Sequence, residues 1–252
     1  MAELKRMTEA QLRYLAGEKG FNLIYLEKDY FLTMMLFYLK DIKGIVFKGG
    51  TALNKIFLDH KRLSEDLDFS CTRDLQSIKK EIEIMLKDHR SFFPAISFDN
   101  MTEDSTRMII RYKGYFQRDS SLILDLNRKA SVILEPSEMN VPHFYEQIPE
   151  FTITTLCQAE LVAEKVRAMI TRNQARDYFD VYMIISRNKK IDMDLVRSKI
   201  KEAQEEFSIE RIFRNAKKIY SMWEQDIGHL TNEFVDYHTV VKALKKEFKY
   251  KT

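Results

Sequence analysis

Asp66 and Asp68 stand at i and i+2 in RLSEDLDF, and about one helix length upstream Lys48, Gly49, Gly50 and Thr51 follow the apolar run Ile45-Val46-Phe47. On a strand, residues i and i+2 point to the same side, so the two carboxylates would share one face. Like charges held together are costly unless a cation lies between them, and magnesium, which takes hard oxygen ligands, is the usual solution. A strand running into Gly-Gly and then a helix lets backbone N–H groups approach an anion, and the helix N-terminus favours phosphate. Thr51 adds a hydroxyl donor or a helix cap. Alone, a strand-Gly-Gly-helix turn is more often plain structure, and a lone Asp-x-Asp is often merely solvated. At this spacing the two together describe a site for a nucleoside triphosphate and catalytic magnesium.

Asp125 lies inside the otherwise apolar LILDLNR, where an ionised side chain needs a reason. As a third carboxylate it would complete a two-metal site. Two magnesium ions would then orient the triphosphate and stabilise the attacking and leaving oxygens of an in-line displacement at the α-phosphorus. The alternative is an edge-strand aspartate facing water or paired with Arg128. Further along, Lys165 and Arg172 share a helical stripe at i and i+7, which Arg176 extends; that charge suits a triphosphate or an RNA backbone, although a solvated amphipathic face explains most of these residues equally well. Asp177 and Asp180 are one turn apart on the next helix, where capping or pairing with Arg176 is the plainer reading. Glu27, Lys28 and Asp29 read as a structural polar cluster. The five histidines show no metal spacing, and no Ser/His/Asp or Cys/His arrangement is present. The lysine- and aromatic-rich end, KALKKEFKYK, reads first as a solvated helix and second as a nucleic-acid contact.

These residues need elements to position them. A capping box of Thr8 and Gln11 predicts a helix to about Gly17, and LEKDYFLTMMLFYLK predicts a second that is deeply packed, since its apolar residues cover more than one face. Ile45–Phe47 and Leu67–Ser70 read as strands around the helical Ala52–Leu58. Asp74 or Ser77 caps a helix ending near His89, and 107–112 and 121–126 pair as strands around the turn at Gly114. From about Leu156 onward the pattern is helical throughout. The expected fold is therefore α/β (α+β): a mixed β-sheet flanked by helices in residues 1–150, then a helical bundle in 151–252, divided at the proline-marked stretch Pro136 to Pro149.

With 252 residues, 45% apolar, the chain can bury a substantial core, and a formal charge of +3 neither demands nor excludes a nucleic-acid partner. Two cysteines make no disulfide framework. The charged, amphipathic N-terminus carries no apolar signal region, and no segment approaches the roughly 18 apolar residues of a membrane span, so a cytoplasmic protein without membrane contact is expected.

LEKDYFLTMML, FKGGTAL, RLSEDLDF and AELVAEKVRAMITRNQARDYFDVYMI together resemble the AbiEii family of nucleotidyltransferase-fold proteins, toxins of type IV toxin-antitoxin and abortive-infection systems related to the MenT toxins. The resemblance spans most of residues 20 to 185; the interval from Gly-Thr to Asp-x-Asp is slightly long, a small insertion. It implies that Gly50 and Thr51 contact phosphate with Lys48 and Gly49 beside them, that Arg62 and Ser64 lie next to the phosphates, and that Asp66 and Asp68 bind magnesium. Lys165 with Asp177 would complete the nucleotide and acceptor site, Lys165 to Asp180 forming the second wall of a cleft. The implied reaction moves a nucleoside monophosphate from a triphosphate to an acceptor, releasing pyrophosphate. A tRNA or other RNA end is the preferred acceptor and a protein hydroxyl the second, and a separately encoded antitoxin is the implied partner. Two other readings stand beside it: a nucleotide- or partner-binding module without turnover, and an enzyme modifying a small molecule such as an antibiotic.

Overall fold

The computed structural model describes residues 4–99, 101–117, 120–129 and 131–250. The chain divides into two compact units, Met1–Leu156 and Cys157–Thr252.

In the first unit, α1 (Glu9–Lys19) opens with the Thr8/Gln11 capping box and ends on Gly20 in a left-handed conformation. Next comes α2 (Leu23–Leu39), capped by Asn22 and buried on nearly every side, which its all-round apolar sequence requires. Strand β1 (Ile45–Lys48) runs into the short helix α3 (Gly49–Ala52), whose chain continues as a π-helical turn, Leu53–Phe57. Then follow β2 (Asp66–Cys71), α4 (Leu75–Asp88, capped by Asp74), β3 (Ala95–Asp99), β4 (Ser105–Arg111), β5 (Ser121–Asn127), β6 (Ser137–Asn140) and β7 (Thr152–Thr155).

The seven strands form one mixed sheet in the order β3-β4-β5-β2-β1-β7-β6. β1 is antiparallel to β2, and β2 is parallel to β5, which is antiparallel to β4. Alternation divides the central strands into two faces. Phe47, Leu67, Phe69, Met108, Ile110, Leu124 and Leu126 are buried on one face, while Lys48, Asp66, Asp68, Arg107 and Asp125 are half-buried on the other. The core lies under the first face, and the charged side chains gather on the second.

Strands β3, β6 and β7 have no counterpart among the strands expected from sequence. β6 is short and largely exposed, so it lacks an apolar period, and β7 is the Thr-rich TITT. Both belong to the sheet, β7 pairing with β1 and β6, and Tyr145 between them is buried. The proline-marked stretch thus lies inside the first unit, and the chain leaves that unit after Leu156.

A buried ionic cluster ties the helical turn after β1 to α2. Lys55 Nζ lies 2.7 Å from Asp29 Oδ2 and 2.9 Å from Thr33 Oγ1, and Tyr145 OH donates to the same Asp29 oxygen at 2.8 Å. Glu27, fully buried, accepts the Tyr115 N–H at 2.5 Å and so holds the segment between β4 and β5. Burial raises its pKa, and the Tyr115 and Phe116 amides act against that.

The second unit is helical: α5 (Gln158–Thr171), α6 (Ala175–Ser186), α7 (Met193–Glu202), α8 (Glu210–Arg214), α9 (Ala216–Ile227) and α10 (Tyr237–Glu247). Lys199 of α7 is buried against Glu160 at 2.5 Å and Glu164 at 3.2 Å of α5. Among the described residues no helix is long and apolar enough to cross a membrane.

Candidate active site

Lys48 ends β1 in register with Asp68, so the chain leaves the sheet beside that carboxylate. Gly49 turns it with φ +76°, a conformation costly for any residue with a Cβ. Space demands glycine as well: a Cβ here would stand 2.0 Å from Asp68 Oδ2. Gly49 therefore lets the backbone of the loop and the Asp68 carboxylate occupy adjoining space.

Gly50 and Thr51 open the helical turn. The buried Thr51 hydroxyl donates to the Asp66 carbonyl, stitching the helix start to the start of β2. Asn54 Nδ2 donates to Gly50 O at 3.1 Å, while its Oδ1 accepts the Arg62 N–H at 3.3 Å. The Arg62 guanidinium donates to Leu63 O at 2.9 Å and to Ser64 Oγ at 3.2 Å, with both residues buried. Thr51, Arg62 and Ser64, expected at the phosphates, thus all hold the loop in shape. The slightly long interval has a structural correlate: a π-turn takes up an additional residue, and Asp59 and His60 follow it with positive φ.

Asp66 and Asp68 share the half-buried face, as their spacing requires, and Asp125 stands in register with Asp68 across the parallel β2–β5 pair. Asp125 pairs with Arg107, its register partner on β4, through a two-pronged contact with both distances 2.8 Å. That hydrogen bonding, and then the Asp125 charge, raises the Arg107 pKa. Arg128, the partner weighed from sequence, lies 3.7 Å from Asp104 instead. Arg107 is the site residue that sequence reasoning missed; only the β4–β5 register brings it to Asp125.

The donor set fits magnesium in part. Asp66 and Asp68 supply hard oxygens on one face, matching an ion bound by one or two carboxylates together with substrate phosphates and water. Both Asp125 oxygens accept from Arg107, and among the described residues no group of three or more His, Cys, Asp or Glu side chains could hold a metal. Asp66 and Asp68 would therefore be the ligands offered to a first ion, and a second at Asp125 would require it to change partner.

In the helical unit, Lys165 is buried between Asp177 at 3.2 Å and Asp180 at 3.0 Å. Arg172 grips Asp177 from the other side through Nε at 2.9 Å and Nη2 at 2.7 Å. Burial pushes the Asp177 carboxyl up, but Lys165 and Arg172 overcome this and hold its pKa below the ordinary value. Beside the pairing with Arg176 weighed from sequence, Asp177 thus has Arg172 and Lys165 as partners. Arg176 is half-exposed, and the Arg172 side chain remains 52% exposed.

A glycine turn after a central strand, an Asp-x-Asp on the antiparallel neighbour and a third acid on the next strand form the arrangement that the resemblance to nucleotidyltransferases implies. Residues 36–246 match the family of nucleotidyl transferase AbiEii toxins of type IV toxin-antitoxin systems, and the chain belongs to that family. Among solved structures it resembles MenT4, a nucleotidyltransferase toxin from Mycobacterium tuberculosis H37Rv, with TM-score 0.72 and 19% identity over 96% of this chain and 89% of that one. It also resembles JHP933 from Helicobacter pylori, with TM-score 0.62 and 19% identity over 91% and 92% of the two chains. A third similar structure, titled a putative nucleotidyltransferase from H. pylori, has TM-score 0.60 and 21% identity over 91% and 98%. At these identities the likeness concerns the fold. No curated protein matches the sequence.

Proposed function

We propose that this toxin-family enzyme transfers a nucleoside monophosphate from a nucleoside triphosphate to an RNA end, with tRNA the leading candidate, and that a separately encoded antitoxin counters it in the cell. The observation that carries the reading is the close approach of Gly49 to the Asp68 carboxylate, with Asp66 on the same face. A triphosphate held by the loop there meets two carboxylates, an arrangement that repels it unless a divalent cation is shared.

Asp66 and Asp68 would hold magnesium, which when bound neutralises phosphate charge and polarises the reacting phosphoryl group. The Gly50 and Thr51 backbone orients the phosphates, with Lys48 supplying positive charge at the end of β1. The Thr51 hydroxyl fixes the helix start to the start of β2, and the Arg62–Ser64 contact braces the segment that leads into it. Asp125, gripped by Arg107, is available to a second ion or to the acceptor proton if that guanidinium turns toward phosphate. In the helical unit, Lys165 and Asp177 position Arg172, and Arg172 with Arg176 would offer positive charge to a phosphate of the acceptor.

A labelled-triphosphate assay tests this, using each of the four nucleotides with total tRNA and with protein extract. Magnesium-dependent label should enter the RNA fraction and fall by at least about 100-fold in Asp68→Ala, as expected when an electrostatic stabiliser of the transition state is lost. Label in protein alone would replace the RNA acceptor, and no transfer to any acceptor despite tight nucleotide binding would overturn the reading.

A further inference from the structure

The helical unit contains a cavity of about 370 Å³ lined by Phe213, Lys217, Tyr220, Tyr237, His238 and Lys245 among others. Its floor is firmly built. Tyr237 is buried and donates its hydroxyl to Ala216 O at 2.7 Å, and behind it Trp223 Nε1 donates to Val235 O at 2.8 Å with the two rings 5.5 Å apart, edge to face. At the rim, Tyr220 is 56% exposed although its ring lies only 5.4 Å from Tyr237 and 5.2 Å from His238. Phe213 and Tyr250 stack at 4.3 Å and close the other end. An exposed aromatic ring braced from beneath loses little freedom when a flat ligand covers it.

The charge at this cavity has one sign. Its lining includes Lys217 and Lys245 and no carboxylate, and among the described residues neither lysine forms an ion pair. Exposed Arg214, Lys218, Lys242 and Lys246 lie close by in sequence on the same elements and outnumber the exposed Glu210, Glu224 and Glu247 there, none of which lines the cavity. Aromatic faces interleaved with unpaired cations are what single-stranded nucleic acid requires, since bases stack without regard to sequence and the backbone seeks positive charge. An acidic peptide would use the lysines and leave the rings idle.

We propose that this cavity binds single-stranded RNA, one base stacking on Tyr220 while the adjoining phosphates meet Lys217 and Lys245. The proposal rests on the reading that the acceptor is RNA and adds a binding site for it on the helical unit.

The full-length chain and a short fluorescein-labelled single-stranded RNA of mixed sequence, followed by anisotropy across a salt series, provide the test. Tyr220→Ala, an exposed change, should weaken binding by about 5- to 150-fold, the range seen when a stacking partner is removed. Lys217→Ala with Lys245→Ala should lower the slope of log affinity against log salt by about 1.4, corresponding to two phosphate contacts on a single strand. Magnesium-dependent triphosphate binding should be unchanged in both variants. The site is overturned if wild type binds no RNA, if these variants bind like wild type, or if an acidic peptide displaces the RNA from wild type but not from the lysine variant. Transfer of label to protein alone, with RNA binding still lost in Tyr220→Ala, would uphold the cavity and refute only the acceptor reading.

Discussion

Gly49→Ala tests the contact on which the site depends. At φ +76° the new residue adopts the left-handed region at a cost of about 1–2 kcal/mol, equivalent to about 2–4 °C in the unfolding midpoint per kcal/mol for a chain of this size. Its Cβ also meets Asp68 Oδ2 at 2.0 Å, so the carboxylate must retreat by more than an ångström to reach ordinary contact. A misplacement of about 1 Å in a catalytic arrangement can cost about 100-fold in rate. Gly44→Ala supplies the control. Gly44 has φ +77°, the same backbone penalty, and its Cβ would meet Arg73 Cγ at 2.6 Å, displacing an exposed side chain from Lys43 O and Glu81 at a further cost of about 0–1 kcal/mol, away from Asp68. Both variants should therefore unfold at similarly lowered temperatures, measured by circular dichroism. Only Gly49→Ala should lose magnesium-dependent label transfer, by about 100-fold. If the two variants are equally destabilised and both transfer label at the wild-type rate, the contact between loop and carboxylate has no catalytic role.

Two further expectations follow from the same unit. His60 is buried with its Nε2 unpartnered, and burial, followed by the nearby Lys55 charge, lowers its pKa from 6.5 to about 3. Its contribution to stability is complete above the unfolded value of 6.5 and is lost as pH falls toward about 3, because the unfolded chain takes up a proton that the folded one excludes. Urea unfolding should show stability falling with acid, this residue contributing at most about 1.4 kcal/mol per pH unit, and His60→Asn should flatten the curve; an unchanged curve would show that His60 takes up its proton equally in the folded and unfolded chains. Asp125→Asn disrupts a pair whose side chains are 42% and 26% exposed, so its stability cost should be only about 0–1 kcal/mol. Label transfer titrated with magnesium should nonetheless weaken; identical magnesium curves for variant and wild type would confine Asp125 to pairing with Arg107.

Local rules made much of the fold legible. The capping box at Thr8, the Asp74 cap, the all-round apolar α2 and the central strands all have signatures within a few neighbouring residues. The slightly long interval before Asp-x-Asp was also visible, though not that a π-turn and two positive-φ residues would occupy it. Strands β6 and β7 escaped detection because edge position and threonine-rich sequence remove the apolar alternation that marks a half-buried strand.

The sequence by itself determined that Asp66 and Asp68 share a face, because the strand period is two, and that a glycine follows the strand that leads to them. Tertiary structure alone decided why that glycine must be Gly49: the position of Asp68 depends on the β1–β2 register. The same holds for Asp125, whose partner Arg107 is set by pairing across β4 and β5, and for Lys165, buried between two aspartates of the following helix. Periodicity is a property of neighbouring residues and can be read along the chain, whereas the partner of a charge depends on which distant segments fold against it.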